Sequence, residues 1–186
     1  MISRELRTKI RDRRAATAVE NSKTVPGSVP FLRELLLRAI EPNDRDELLA
    51  ELAGEYLRAG LEDEHLLVQR ERVRNHPDEA VMWLGLADSL SARSDGAEEA
   101  KSAAATGLDK ARNAGALIRY ALVCTAQIAR RTGDRGLFES ALRELIDDAA
   151  NERKDDCDFN EQLVTDLPAG FCTPTLEEEY RRLLQR

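Results

Sequence analysis

One pattern recurs three times in this chain at a spacing of 34 residues. Leu49-x-x-Leu52-Ala53-x-x-Tyr56 is followed by Trp83-x-x-Leu86-Ala87-x-x-Leu90 and then by Leu117-x-x-Tyr120-Ala121-x-x-Cys124. An apolar residue, a second three positions on, a small neighbour and another apolar residue three further mark one face of a helix. A repeat of about 20–50 residues is the mark of stacked supersecondary units, none of which buries its apolar face alone. The pattern therefore predicts an all-α array of helical hairpins, and no period-2 run competes with it.

The punctuation agrees. Residues 2–20 can form a helix with Ile2, Leu6 and Ile10 on one stripe, ended by Thr24-Val25-Pro26-Gly27. Pro30 should open a short apolar helix containing Phe31, Leu32, Leu35, Leu36, Leu37 and Ile40, and Pro42 should close it. The first hairpin then runs from Asn43 to Pro77 with a break at Gly60. The second turns at Ser94-Asp95-Gly96, and its outer helix carries Ala97, Ala100, Ala103 and Ala104. Asn113-Ala114-Gly115 leads into a third hairpin, which turns at Gly133-Asp134 and whose first helix is expected to be a turn longer. Residues 151–174 lose the pattern, and 175–186 form a last helix with Thr175 and Glu178 in a capping box. Four segments result: a basic helix plus an apolar helix over 1–42, three hairpins over 43–150, an irregular acidic loop over 151–174, and a terminal capping helix.

On these motifs the chain resembles the tetratricopeptide repeat family, with Trp83-x-x-Leu86-Ala87 closest to the repeat's opening and Pro77 where a repeat should end. The resemblance implies a right-handed solenoid with a degenerate N-terminal pair, and Trp83 packed between its own hairpin and the preceding one. It further implies a partner held on the concave face made by the first helix of each hairpin. Positions matching that face are Gly54, Leu57 and Arg58, then Leu84, Asp88 and Ser91, then Ile118, Arg119 and Leu122, with Ala50 and Thr125 beside them. Arg58, Asp88 and Arg119 should reach solvent on one common side. Family members that clamp a peptide carboxylate use Lys and Asn at sites that here hold Ala50, Gly54 and Gly85. A chaperone-tail clamp is disfavoured, and an apolar or helical protein segment is the expected partner.

Chemistry is hard to find in the sequence. His65 and His76, the only histidines, lack ligand spacing, and three cysteines (Cys124, Cys157, Cys172) form no C-x-x-C. Asp156-x-Asp158-x-Asn160 begins like a calcium loop, but Glu161 replaces the turn glycine and Leu167 the bidentate glutamate. No catalytic residues, metal or cofactor are expected, and the leading reading is a non-enzymatic adaptor or chaperone-like binding module. Charge supplies the alternative. The chain is −7 overall, yet residues 1–23 hold seven Lys/Arg against three Asp/Glu. That basic arm could serve a nucleic-acid-associated regulator, although the acidic remainder disfavours phosphate contact. An enzyme using the 151–174 loop is the third reading. No stretch of the sequence resembles a signal peptide or membrane span, so a cytoplasmic protein without membrane contact is expected.

Overall fold

The structure is a computed structural model that describes residue 8 and residues 27–39, 42–151, 163–164, 167–168 and 170–184. The expected helix over 2–20 and the acidic cluster at 155–158 lie almost entirely outside these. The described residues contain eight helices longer than one turn and no strand. They are α1 (Ser28–Arg38), α2 (Pro42–Arg58), α3 (Glu62–Asn75), α4 (Ala80–Ser91), α5 (Ala97–Ala114), α6 (Ile118–Arg131), α7 (Arg135–Asn151) and α8 (Pro174–Leu184). The chain divides into two compact units, Met1–His76 and Pro77–Arg186.

In the first unit α1 and α3 both run antiparallel to α2. The Ser28 hydroxyl, at the start of α1, donates to buried Glu55 near the end of α2 at 2.8 Å. Arg33 donates from Nε to the Tyr56 hydroxyl at 2.9 Å. Arg45 and Asp46, at the start of α2, meet Glu71 and Arg72 at the end of α3. Val29, Leu32, Leu48, Leu49, Leu52, Ala53, Tyr56 and Val68 form the core. His65 stands where the repeat pattern calls for a small residue. It is accommodated because its Nδ1–H donates to the Ala53 carbonyl at 2.9 Å. Pro42 does not close α1; it begins α2, a position that needs no N–H and suits the fixed proline φ.

The second unit holds two antiparallel pairs, α4–α5 and α6–α7. Lys110, late in α5, reaches Asp78, just before α4, and Arg119, at the start of α6, pairs with Asp148 near the end of α7. The pairs lie side by side with like helices parallel. Asp88 of α4 meets Arg131 of α6, both near their C-terminal ends. Lys101 of α5 meets Asp134 before α7 at 3.3 Å, and Arg112 of α5 meets Glu144 of α7 at 2.5 Å. One core runs through the unit, from Leu84 and Leu108 through Ala121, Leu122, Ala126, Phe138, Leu142 and Leu145 to Leu176 and Tyr180 of α8. The end of the irregular stretch joins it. Leu163, Val164 and Cys172 are buried, and the Phe171 ring meets Phe138 edge-on at 5.3 Å between centroids.

Burial corrects the register of the repeat. Between the first two hairpins it recurs at the expected 34 residues: Leu48 and Met82, Leu52 and Leu86, Ala53 and Ala87, Tyr56 and Leu90 are all buried. Between the second and third it recurs at 38: Leu84 and Leu122, Ala87 and Thr125, Leu90 and Ile128, Ala100 and Phe138, Ala104 and Leu142. Four residues are close to one helical turn, so the motif read at 34 lands one turn early on nearly the same face. Leu117 and Tyr120, expected in the core, are consequently exposed. The added turn sits mainly in α5, which has 18 residues against 14 in α3, rather than in the first helix of the third hairpin.

Two further expectations change. Trp83 is half-buried, not enclosed, and its indole N–H donates to the Pro77 carbonyl at 2.8 Å, fastening the entry of α4. The last helix starts at Pro174, with Glu177 N–H donating to the Thr173 carbonyl, so Thr175 lies inside it and caps nothing. The anticipated i, i+4 pairs Glu177–Arg181 and Glu178–Arg182 are present.

Two substitutions test this packing. A Cβ at Gly107 would sit 2.9 Å from Leu84 Cγ and Cδ2 and 3.2 Å from the Ala80 carbonyl oxygen. Gly107→Ala should lower stability by about 1–3 kcal/mol through overpacking, against a propensity gain of roughly 1 kcal/mol. An unchanged or raised urea midpoint would mean that α4 and α5 are further apart. Asp134 caps α7, its carboxylate accepting the Leu137 N–H at 3.0 Å. That bond, opposed by burial and helped by Lys101, holds its carboxyl below the usual range. Asp134→Ala should cost about 0.5–2 kcal/mol. The cap's contribution is present above the ordinary aspartate range and is lost as pH falls through the lowered value. The variant's deficit should therefore shrink in acid, as urea denaturation at pH 7 and pH 3 would show.

Candidate functional site

Helices α4 and α6 run parallel in contact, and Asp88 of α4 and Arg131 of α6 pair near their C-terminal ends. On α6 the exposed stripe starts at Leu117 and Tyr120 and continues at helical spacing through half-buried Cys124 and Gln127 to exposed Arg131. Its opposite side, Ala121, Leu122, Thr125, Ala126, Ile128 and Ala129, is buried. On α4 the polar contributors are Asp88 and Ser91.

These side chains are linked. Arg131 donates from Nη1 to Asp88 Oδ1 and, at 3.2 Å, to Ser91 Oγ. The Ser91 hydroxyl donates in turn to the Asp88 backbone carbonyl at 2.8 Å. Tyr120 and Cys124 lie one turn apart on α6. Burial pushes the Cys124 thiol above its ordinary range and the Asp88 carboxylate adds to this, while Tyr120 and Arg131 act the other way. Tyr120 is raised by Cys124, by burial and by Asp88. Cys172 is likewise raised by burial and by Glu139 and Glu177. A reactive cysteine needs the opposite environment, one that favours thiolate. Among the described residues no three His, Cys, Asp or Glu side chains gather as a metal site.

The entry to α6 is strained. Leu117 has φ 62°, the one non-glycine residue with positive φ among those described. It follows Gly115, whose own φ of 62° ends α5 in a left-handed cap, with the Ala116 N–H returning to the Ala111 carbonyl. Glycine takes this conformation freely; leucine does so at a cost of about 1–2 kcal/mol.

Of the residues expected to line a groove, Asp88 and Ser91 lie on this α4–α6 surface. Leu84 and Leu122, 1% and 0% exposed, are core residues facing the helices behind, and Thr125 is buried with them. Ile118 is half-buried against the same core. Arg119 turns towards α7 and Asp148, away from the Asp88–Arg131 pair at the far end of α6. In the first unit Leu57 and Arg58 are exposed at the end of α2, and the Arg58 guanidinium lies over half-buried Gly54 while pairing with Glu55 at 2.6 Å. Arg58 thus serves a buried carboxylate. Arg58 and Asp88 reach solvent as expected while Arg119 is half-buried, and all three are engaged in ion pairs within the chain. The sequence reading missed Tyr120 and Arg131 as surface residues, because the 34-residue register assigned Tyr120 to the core; Cys124 is half-buried and does pack against it.

No protein-family model matches this chain, and neither a curated protein nor a solved structure is detectably similar to it.

Two outcomes follow. Leu117→Gly should raise stability by about 1 kcal/mol by removing the left-handed penalty from a largely exposed side chain, whereas Leu117→Val should lower it; equal midpoints for both would refute the strain. In a Cys157→Ser/Cys172→Ser background, Cys124 should alkylate more slowly at pH 8 than a cysteine peptide. Asp88→Asn should speed the reaction, since it removes a charge that raises the thiol. The sign for stability is also fixed: with the folded thiol raised, the unfolded chain ionises first. Stability therefore falls as pH climbs above the ordinary thiol value of about 8.5.

Proposed function

We propose that this chain is a non-enzymatic helical-hairpin module of the tetratricopeptide type, holding a segment of a protein partner against the α4–α6 surface. The observation that carries the reading is the pairing of an exposed apolar end, Leu117 and Tyr120, with a polar end built from Asp88, Ser91 and Arg131, on two parallel helices. Leu117 is 55% and Tyr120 52% exposed. Large exposed side chains in a patch rimmed by polar groups are typical of interaction surfaces, and tyrosine contributes contact area with little rotamer entropy to lose. The raised Cys124 thiol favours binding over covalent chemistry at this surface. No described helix is long and apolar enough to cross a membrane, which accords with the adaptor or chaperone-like role in the cytoplasm that we propose.

The test is site-specific photo-crosslinking in the native host, with the probe at Tyr120 and, as control, at exposed Arg143 on α7. A protein adduct specific to position 120, reduced in a Leu117→Ser background, is the expected result. Tyr120→Ser should leave the thermal midpoint within a shift worth about 0.5 kcal/mol, as for other surface changes. Indistinguishable adducts at both positions, or nucleic acid as the captured species, would overturn the reading; the latter would favour a regulator acting through the basic arm.

A further inference from the structure

We draw no further inference here: the strongest candidate, the exposed apolar patch of Leu117 and Tyr120 beside the Cys124 thiol on the α4–α6 surface, belongs to the site already described, and nothing in the structure shows what covers it.

Discussion

Helix α5 lies as close to α4 as it does because Gly107 presents only a hydrogen atom to the Leu84 side chain. Four of the other buried positions on α5, Ala100, Ala103, Ala104 and Ala111, carry no more than a methyl group, with Leu108 the bulky exception. Close axes bring many weak dispersion contacts into range, and these sum to a large term although each is small. This is how a chain with only 4% aromatic residues builds a continuous core. The bulk comes back in α7, where Phe138 and Leu142 stand at the positions equivalent to Ala100 and Ala104. The second unit is thus graded from tight packing at α4–α5 to bulkier packing where α8 closes it with Tyr180 and Leu176.

Around that core the ion pairs act as directional ties. Asp88–Arg131, Lys101–Asp134 and Arg112–Glu144 each join like helices of successive pairs. Exposed pairs of this sort add little stability individually, but they fix which residues face outward along the seam. Asp88 shows the link between architecture and chemistry. It holds Arg131 in place, and its charge adds to the burial that raises the Cys124 thiol. The surface that we propose for recognition is polar and apolar, and its thiol is raised rather than activated.

The all-helical character was legible because burial in a helix leaves a periodic trace. Gly60, Gly96 and Gly133 marked the hairpin turns, and the i, i+4 pairs of the last helix were visible, although its capping box does not form. Side-chain roles on α6 were not legible, for a geometrical reason. A shift of four residues moves along a helix by about a turn while rotating little around it. Leu117, Tyr120, Ala121 and Cys124 therefore imitate a core motif whose structural counterparts are Ala121, Cys124, Thr125 and Ile128. Only the turn at Gly133-Asp134 recorded the extra residues, and a turn alone cannot say which of the flanking helices holds them. Ion-pair choices such as Arg119 with Asp148 were hidden for another reason. Long side chains choose among several partners in space, and sequence spacing does not rank them.

The local character of these contacts also bears on how the chain acquires its structure. The tie between Lys110 and Asp78 closes over 32 residues, and Arg112–Glu144 over the same distance. Contacts of such short reach cost little loop-closure entropy and favour rapid folding. With about 5–20 residues added per second during synthesis, α4 and α5 are complete seconds before the end of α7 leaves the ribosome. Until α6 emerges, the small-residue stripe of α5 has only one of its two helical neighbours. A surface of alanines and glycine is a mild liability in such a half-built state, because it exposes far less apolar area than leucine or phenylalanine would. The bulky residues come later, on α7, at a stage when a finished surface is already waiting to receive them.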